Sequence, residues 1–133
     1  MKQSNNVKAA IYCRVADGMD NPYAIRNQER EVYAFAKENG YTVCGFYSDN
    51  GYNGLSVERP ALQRMIADIE SGMITHVVVK DLSRLFRDSM LLLWFYSLCD
   101  HYDVVVRTIG PEYTHDEFMA TLQRFVEKVG VAT

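Results

Sequence analysis

Val7-Lys8-Ala9-Ala10-Ile11-Tyr12-Cys13-Arg14-Val15-Ala16-Asp17 is an apolar run that closes on an arginine, an alanine and an acid. Val7 to Val15 reads as a buried strand. Tyr23 to Asn39 follows with Ile25, Val32, Phe35 and Ala36 on one helical face and Gly40 as its stop, so the chain opens as a strand followed by a helix. Tyr41 to Ser48 alternates and is rich in strand formers, and Asp49-Asn50-Gly51-Tyr52-Asn53-Gly54 has the composition of a loop.

The same alternation continues. Pro60 opens a second helix at the position proline tolerates best, Leu62, Met65, Ile66 and Ile69 supply its apolar stripe, and Gly72 ends it. Ile74 to Val79 is a third strand, Ser89 to His101 a third helix that is apolar nearly all round, and Val104 to Ile109 a fourth strand. Thr114 and Glu117 have capping-box spacing for a last helix reaching about Lys128. The order βαβαβαβα predicts an α/β fold: a mostly parallel sheet of about four or five strands with helices packed on it. Right-handed crossovers bring the loops that follow the strands to one edge, where ligand sites of such sheets lie.

Composition sets the outer limits. With 133 residues, 48% of them hydrophobic, the chain (1–133) is expected to be one domain with one core. The net charge of −3 argues mildly against nucleic acid as a partner, although arginines can cluster on an acidic protein. Cys13, Cys44 and Cys99 have neither metal-ligand nor redox spacing and lie in apolar stretches, so they read as small buried hydrophobes, which fits a reducing cytoplasm. His76, His101 and His115 show no metal spacing, and no phosphate-binding glycine loop supports a nucleotide cofactor. The polar Met1–Asn6 segment does not read as a signal peptide, so none is expected. Met90–Leu98, the most apolar run, is far short of the ~20 residues of a membrane span, so no membrane is expected as a partner.

Several residues stand out against this frame. Tyr12, Arg14 and Ala16 project to one side of the first strand's end. A buried arginine there requires an anionic partner: Asp17, Asp49 or Asp81 on the plain reading, a bound anion on the functional one. Lys80-Asp81-Leu82-Ser83-Arg84-Leu85-Phe86-Arg87-Asp88 puts Arg84 and Arg87 one turn apart at a helix mouth. Helix N-termini favour anions over cations, so two guanidinium forks there suit phosphate oxygens. Arg59 precedes Pro60 and, taken alone, is a surface residue. Asp49 either holds an arginine or makes a turn, and Asn27-Gln28 alone carries little information.

In this order and spacing the pieces resemble the N-terminal catalytic domain of the serine recombinases, the resolvase/invertase family. The resemblance runs from about Ala9 to Ile109, through Ile11–Val15, Asn27-Gln28, Asp49–Gly54, Arg59-Pro60 and Asp81–Asp88. It implies a site-specific DNA recombinase fold in which a serine hydroxyl attacks a phosphodiester, with no metal or other cofactor because the phosphoserine keeps the bond energy. Arginines supply the charge stabilisation. Arg14, Arg84 and Arg87 would bind the scissile phosphate, Gln28, Asp49, Arg59 and Ser83 would position the groups, and Tyr12 would support the pocket.

Three departures qualify the resemblance. Ala16 stands where the family has its serine, which implies that strand cleavage is impaired or lost. Asn53 stands where a serine usually precedes the loop glycine, and can still donate a hydrogen bond. The chain stops at Thr133, so a separate DNA-binding domain is expected to be absent and DNA binding to be weak. The expected partners are DNA, a second copy in a homodimer or tetramer, and a full-length recombinase. The alternative reading is a catalytically dead dimerisation or regulatory module of a mobile-element recombination system, with the apolar third and last helices as its contact surfaces. A small phosphate-ligand domain is the remaining class.

Overall fold

The computed structural model describes residues 7–16, 22–55, 57–109 and 120. The elements are β1 (Lys8–Val15), α1 (Pro22–Glu38), β2 (Thr42–Asn50), α2 (Pro60–Glu70), β3 (His76–Val79), a 3-10 turn (Leu82–Arg84), α3 (Ser89–His101) and β4 (Val105–Thr108). Their order is the one the apolar periodicity predicts. The proposed last helix, Thr114 to Lys128, lies outside the described residues.

All four strands run parallel, in the order β2-β1-β3-β4. Burial on both faces explains why β1 is so apolar: Ala9 through Val15 are all buried. Its even-numbered Ala10 and Tyr12 pack with α2 and α3 residues such as Leu62, Met65 and Phe95. Its odd-numbered Ala9, Ile11 and Cys13 pack with Ile25, Val32 and Ala36 of α1. The sheet is therefore sandwiched, α1 on one side and α2 with α3 on the other. From β1 the chain passes to β2 on one flank and then across to β3 on the other, so the strand order reverses beside β1. The carboxyl ends of β1 and β3 form the crevice where such sheets take ligands.

Several boundaries differ from the sequence reading. Asp49 and Asn50 belong to β2, where they pair with Arg14 and Val15, and the loop begins at Gly51, whose φ of 89° suits a glycine. Ile74 is core rather than strand, and Thr75 anchors the N-terminal side of the sheet by accepting from Lys8 N–H at 2.7 Å. Cys13 and Cys99 are buried, and burial pushes both thiols up to about 12. Cys44 is exposed, contrary to the expectation of three buried cysteines. The register slips between Ala9 and Ala10, where Val43 and Gly45 are successive partners and Cys44 is the extra residue of a β-bulge. No helix among the described residues is long and apolar enough to cross a membrane.

Candidate functional site

The crevice is built around Arg14, which is 2% exposed at the end of β1. β3 pairs with β1 only over Ala9–Ile11, so the backbone of Arg14 needs another partner. Gln28 on the inner face of α1 supplies one. Its Oε1 accepts from Arg14 N–H at 3.0 Å and its Nε2 donates to the Arg14 carbonyl at 3.2 Å. A residue that carried little information in the sequence thus does the work of a missing strand.

The Arg14 guanidinium meets neither Asp49 nor Asp81. Instead Nε donates to the carbonyl of Arg84 (3.0 Å), Nη1 to that of Tyr52 (2.9 Å) and Nη2 to that of Ser83 (2.6 Å). One side chain therefore ties the loop after β2 to the loop after β3. Asp17, the other partner considered, lies outside the described residues. Burial pulls the Arg14 guanidinium below its ordinary value, and the neighbouring charges of Arg59, Arg84 and Arg87 act in the same direction. Four guanidinium groups therefore share one region.

Arg59 is not on the surface. It is 1% exposed, its Nη1 donates to Tyr12 Oη and to the Arg84 carbonyl, both at 3.1 Å, and its Nη2 donates to the Leu85 carbonyl. Its Cζ lies 4.7 Å from the centre of the Phe86 ring, within cation–π range. Arg59 occupies the N-cap position of α2 but makes no side-chain cap. Asp49 does that instead, its two carboxylate oxygens accepting from Ala61 N–H at 2.9 Å and Leu62 N–H at 3.0 Å. Tyr12 Oη donates to the same carboxylate at 2.7 Å. Burial pushes the Tyr12 phenol well above the ordinary tyrosine range, against the pull of Arg59 and with the help of Asp49, so it stays a donor. Asp49 therefore neither holds an arginine nor makes a turn. It fixes where α2 starts.

Asp49→Ala removes that cap and strands the Tyr12 donor. A cap is worth ~1 kcal/mol and an orphaned buried donor about 1–3, so a loss of about 2–4 kcal/mol is expected, read as a lower urea midpoint. Asp49→Asn keeps one acceptor oxygen and loses less.

Arg84 and Arg87 do not share a helix as the spacing suggested. Arg84 ends the 3-10 turn, and Arg87 precedes Asp88, which caps α3 by accepting from Met90 N–H at 2.8 Å. Arg84 Nη1 donates to the Arg14 carbonyl at 3.1 Å, while its Nε lies 3.6 Å from Asp81. Arg87 is exposed, and among the described residues its side chain has no hydrogen-bond or ion-pair partner. Its backbone N–H donates to the Gly54 carbonyl at 2.9 Å. Gly54 is required there: a Cβ would come within 2.6 Å of Arg87 Cγ and 2.9 Å of Arg14 Nη2. The glycine was visible in the sequence as a weak signal. The Tyr52 carbonyl, a backbone group, left none.

The remaining candidates are placed as follows. Ser83 is exposed, and its hydroxyl and N–H both donate to Asp81 Oδ1, the latter at 3.1 Å. Asn53 Oδ1 accepts from Leu55 N–H at 2.8 Å, an Asx turn in the loop, and Asn27 faces outward, accepting from Arg30. Ala16 is half-buried one residue beyond β1, and strand alternation continued by one step puts it on the side of Tyr12 and Arg14. His76 sits in β3 against Tyr41, with ring centres 4.9 Å apart, while His115 lies outside the described residues. Among the described residues no group of three or more His, Cys, Asp or Glu side chains could hold a metal ion. The arrangement offers guanidinium N–H groups to an anion beside a methyl-bearing position.

Comparison with known proteins agrees with this fold. The family model "Resolvase, N terminal domain" matches residues 9–130. The chain is 27% identical to the N-terminal catalytic domain of TP901-1 integrase, covering 90% of this chain and 94% of that one with a TM-score of 0.81. A resolvase family site-specific recombinase from Streptococcus pneumoniae is 29% identical, with 92% and 87% covered and a TM-score of 0.77. Among sequences, "Uncharacterized immunity region protein 3" of Bacillus phage phi105 is 30% identical over 78 residues, which is 57% of this chain and 95% of that protein. A candidate DNA recombinase of Bacillus subtilis (strain 168) is 35% identical over 83 residues, and the match spans 16% of its length.

Proposed function

The chain belongs to the resolvase N-terminal domain family, and from that premise we propose that its crevice binds the phosphodiester backbone of DNA as the catalytic domain of a site-specific serine recombinase does, without cutting it. In this reading Arg84 and Arg87 contact the phosphate. Arg14 adds its remaining N–H groups and holds both loops, while Gln28, Asp49, Arg59 and Tyr12 keep Arg14 and α2 in register. Ser83 and Asn53 shape the loops. Ala16 holds the place of the serine. A methyl group has no lone pair with which to attack phosphorus, so binding and charge stabilisation remain and strand cleavage by the serine route is lost.

The observation that carries this reading is the gathering of Arg84 and Arg87 about Arg14, with Arg14 and Arg87 both against Gly54. Among the described residues neither Arg14 nor Arg87 has a carboxylate within ion-pair distance. Like charges brought together without counterions are unfavourable unless an anion completes the site. Arg84→Gln and Arg87→Gln are therefore expected to weaken duplex DNA binding about equally for all sequences. Each should lower the salt slope of log Kd by about one phosphate contact, measured by fluorescence anisotropy across salt concentrations. Unchanged affinity and slope in both variants would overturn the reading.

The similarity to the phage immunity-region protein favours a second reading. Here the same pocket belongs to a regulatory module that pairs with itself or with a full-length recombinase and takes no part in cutting. Met90 and Trp94 on α3 and Val105 on β4 are exposed apolar residues available for such a contact. Light scattering separates the two readings: a strict monomer at high concentration removes self-pairing.

A further inference from the structure

A second basic surface lies on the side of α1 turned away from Gln28. Arg26, Arg30, Tyr33 and Lys37 recur at helical spacing and all are exposed, forming one stripe about 16 Å long. Beside it, on edge strand β2, is Phe46, paired with Ile11 and so on the α1 side of the sheet. The Tyr33 and Phe46 rings stack, with centres 5.9 Å apart and planes 27° apart, yet remain 40% and 46% exposed. Lys37 Nζ lies 6.0 Å from the centre of the Tyr33 ring. Arg26, Glu29, Arg30, Tyr33 and Phe46 line an open groove of about 570 Å3. That is within the 300–1,000 Å3 typical of sites for one small ligand. The local charge is positive on a chain whose net charge is −3. Glu29, the acid in the groove, already accepts from Ser48 Oγ at 2.6 Å, and Glu31 pairs with Lys80 at 3.3 Å.

Two kinds of occupant suit an exposed aromatic shelf at a sheet edge. A protein strand could extend the sheet, but that needs an unbroken edge, and the bulge at Cys44 interrupts the register of β2. A nucleic acid strand needs no such register. Its phosphates seek cations spaced along a groove, and an unpaired base has a face to lay on an aromatic ring, a pairing tolerant of sequence. A duplex keeps its base faces stacked and cannot use the shelf. We propose that the α1–β2 groove binds single-stranded nucleic acid, with a base on the Tyr33–Phe46 shelf and the flanking phosphates on Arg26, Arg30 and Lys37.

The test uses the full chain and a fluorescein-labelled oligothymidylate of about twelve nucleotides, read by anisotropy. Replacing both rings, Tyr33→Leu with Phe46→Leu, is expected to weaken binding by about tenfold, as is Arg26→Gln with Arg30→Gln. All these side chains are exposed, and circular dichroism checks that the variants fold. The ring variant should leave duplex binding by the crevice unchanged, so this proposal and the DNA-backbone reading of the crevice fail separately. The proposal is overturned if the ring variant binds the oligonucleotide like the native chain, if the ring variant weakens duplex binding to the same degree, or if polyglutamate displaces the oligonucleotide at matched charge, which would make the groove a site for acidic protein.

Discussion

Ala16→Ser is expected to nick supercoiled plasmid at a rate at least ~10^4 above that of the native chain. Removing the nucleophile from a serine-dependent enzyme lowers kcat by on the order of 10^6, and putting it back recovers most of that factor when the surrounding site is whole. The crevice gives reason to expect that it is. Arg14, Arg84 and Arg87 converge on the strand end, Gly54 makes room for two of them, and Gln28 fixes the backbone two residues before position 16. A serine at 16 adds one hydroxyl at a half-buried position beyond β1. Attack by its oxygen on phosphorus would break the P–O3′ bond, and the departing 3′ oxygen would leave with a proton. The native chain is expected to show no nicking above buffer, measured by conversion of supercoiled to open-circular DNA at low salt.

Arg59→Ala is expected to destabilise the fold by about 3–5 kcal/mol, a large share of the 5–15 kcal/mol typical of a domain. The balance of effects can be followed through its partners. Tyr12 Oη still has Asp49, and the Arg84 carbonyl still has Arg14 Nε. Among the described residues no such second donor reaches the Leu85 carbonyl. An orphaned buried acceptor costs about 1–3 kcal/mol, and the lost volume against Phe86 leaves a cavity worth a similar amount. Relief of repulsion toward Arg14 offsets part of this. Arg59→Met keeps most of the volume and isolates the hydrogen-bond share, so it should fall between native and Ala. Arg59→Lys keeps the charge but reaches fewer of these acceptors, because an ammonium lacks the fork. Urea denaturation of the three variants checks the order. A native-like midpoint for Arg59→Ala would mean that the buried guanidinium holds nothing.

The order of elements was legible because each strand and helix carries its own apolar period, and α3 matches its expected bounds because Asp88 and the polar residues after Cys99 mark them. What was not legible depended on partners distant in sequence. Arg59 reads as a surface residue until the loop of Ser83–Leu85 folds over it. Asp49 reads as a turn former until α2 starts above it, and Gln28 is anonymous until β1 outruns β3. Cys44 sits in an apolar stretch, and a one-residue bulge carried it outward. The stacked rings of Tyr33 and Phe46 come from different elements, so no local pattern joins them. The arginines of Asp81–Asp88 were found from their spacing, but the helix assumed for them is a 3-10 turn and a cap. The family resemblance drew its strength from motif order, and motif order survives such local errors.

The central claim is that the crevice is a phosphodiester site lacking one atom. Its most direct test is covalent: native and Ala16→Ser chains are incubated with end-labelled duplex DNA at low salt and separated on a denaturing gel. A labelled band that resists denaturation and disappears on protease treatment is expected for Ala16→Ser alone, with the DNA joined through its 5′ phosphate. A folded Ala16→Ser chain that binds the duplex but gives no such band would contradict the account.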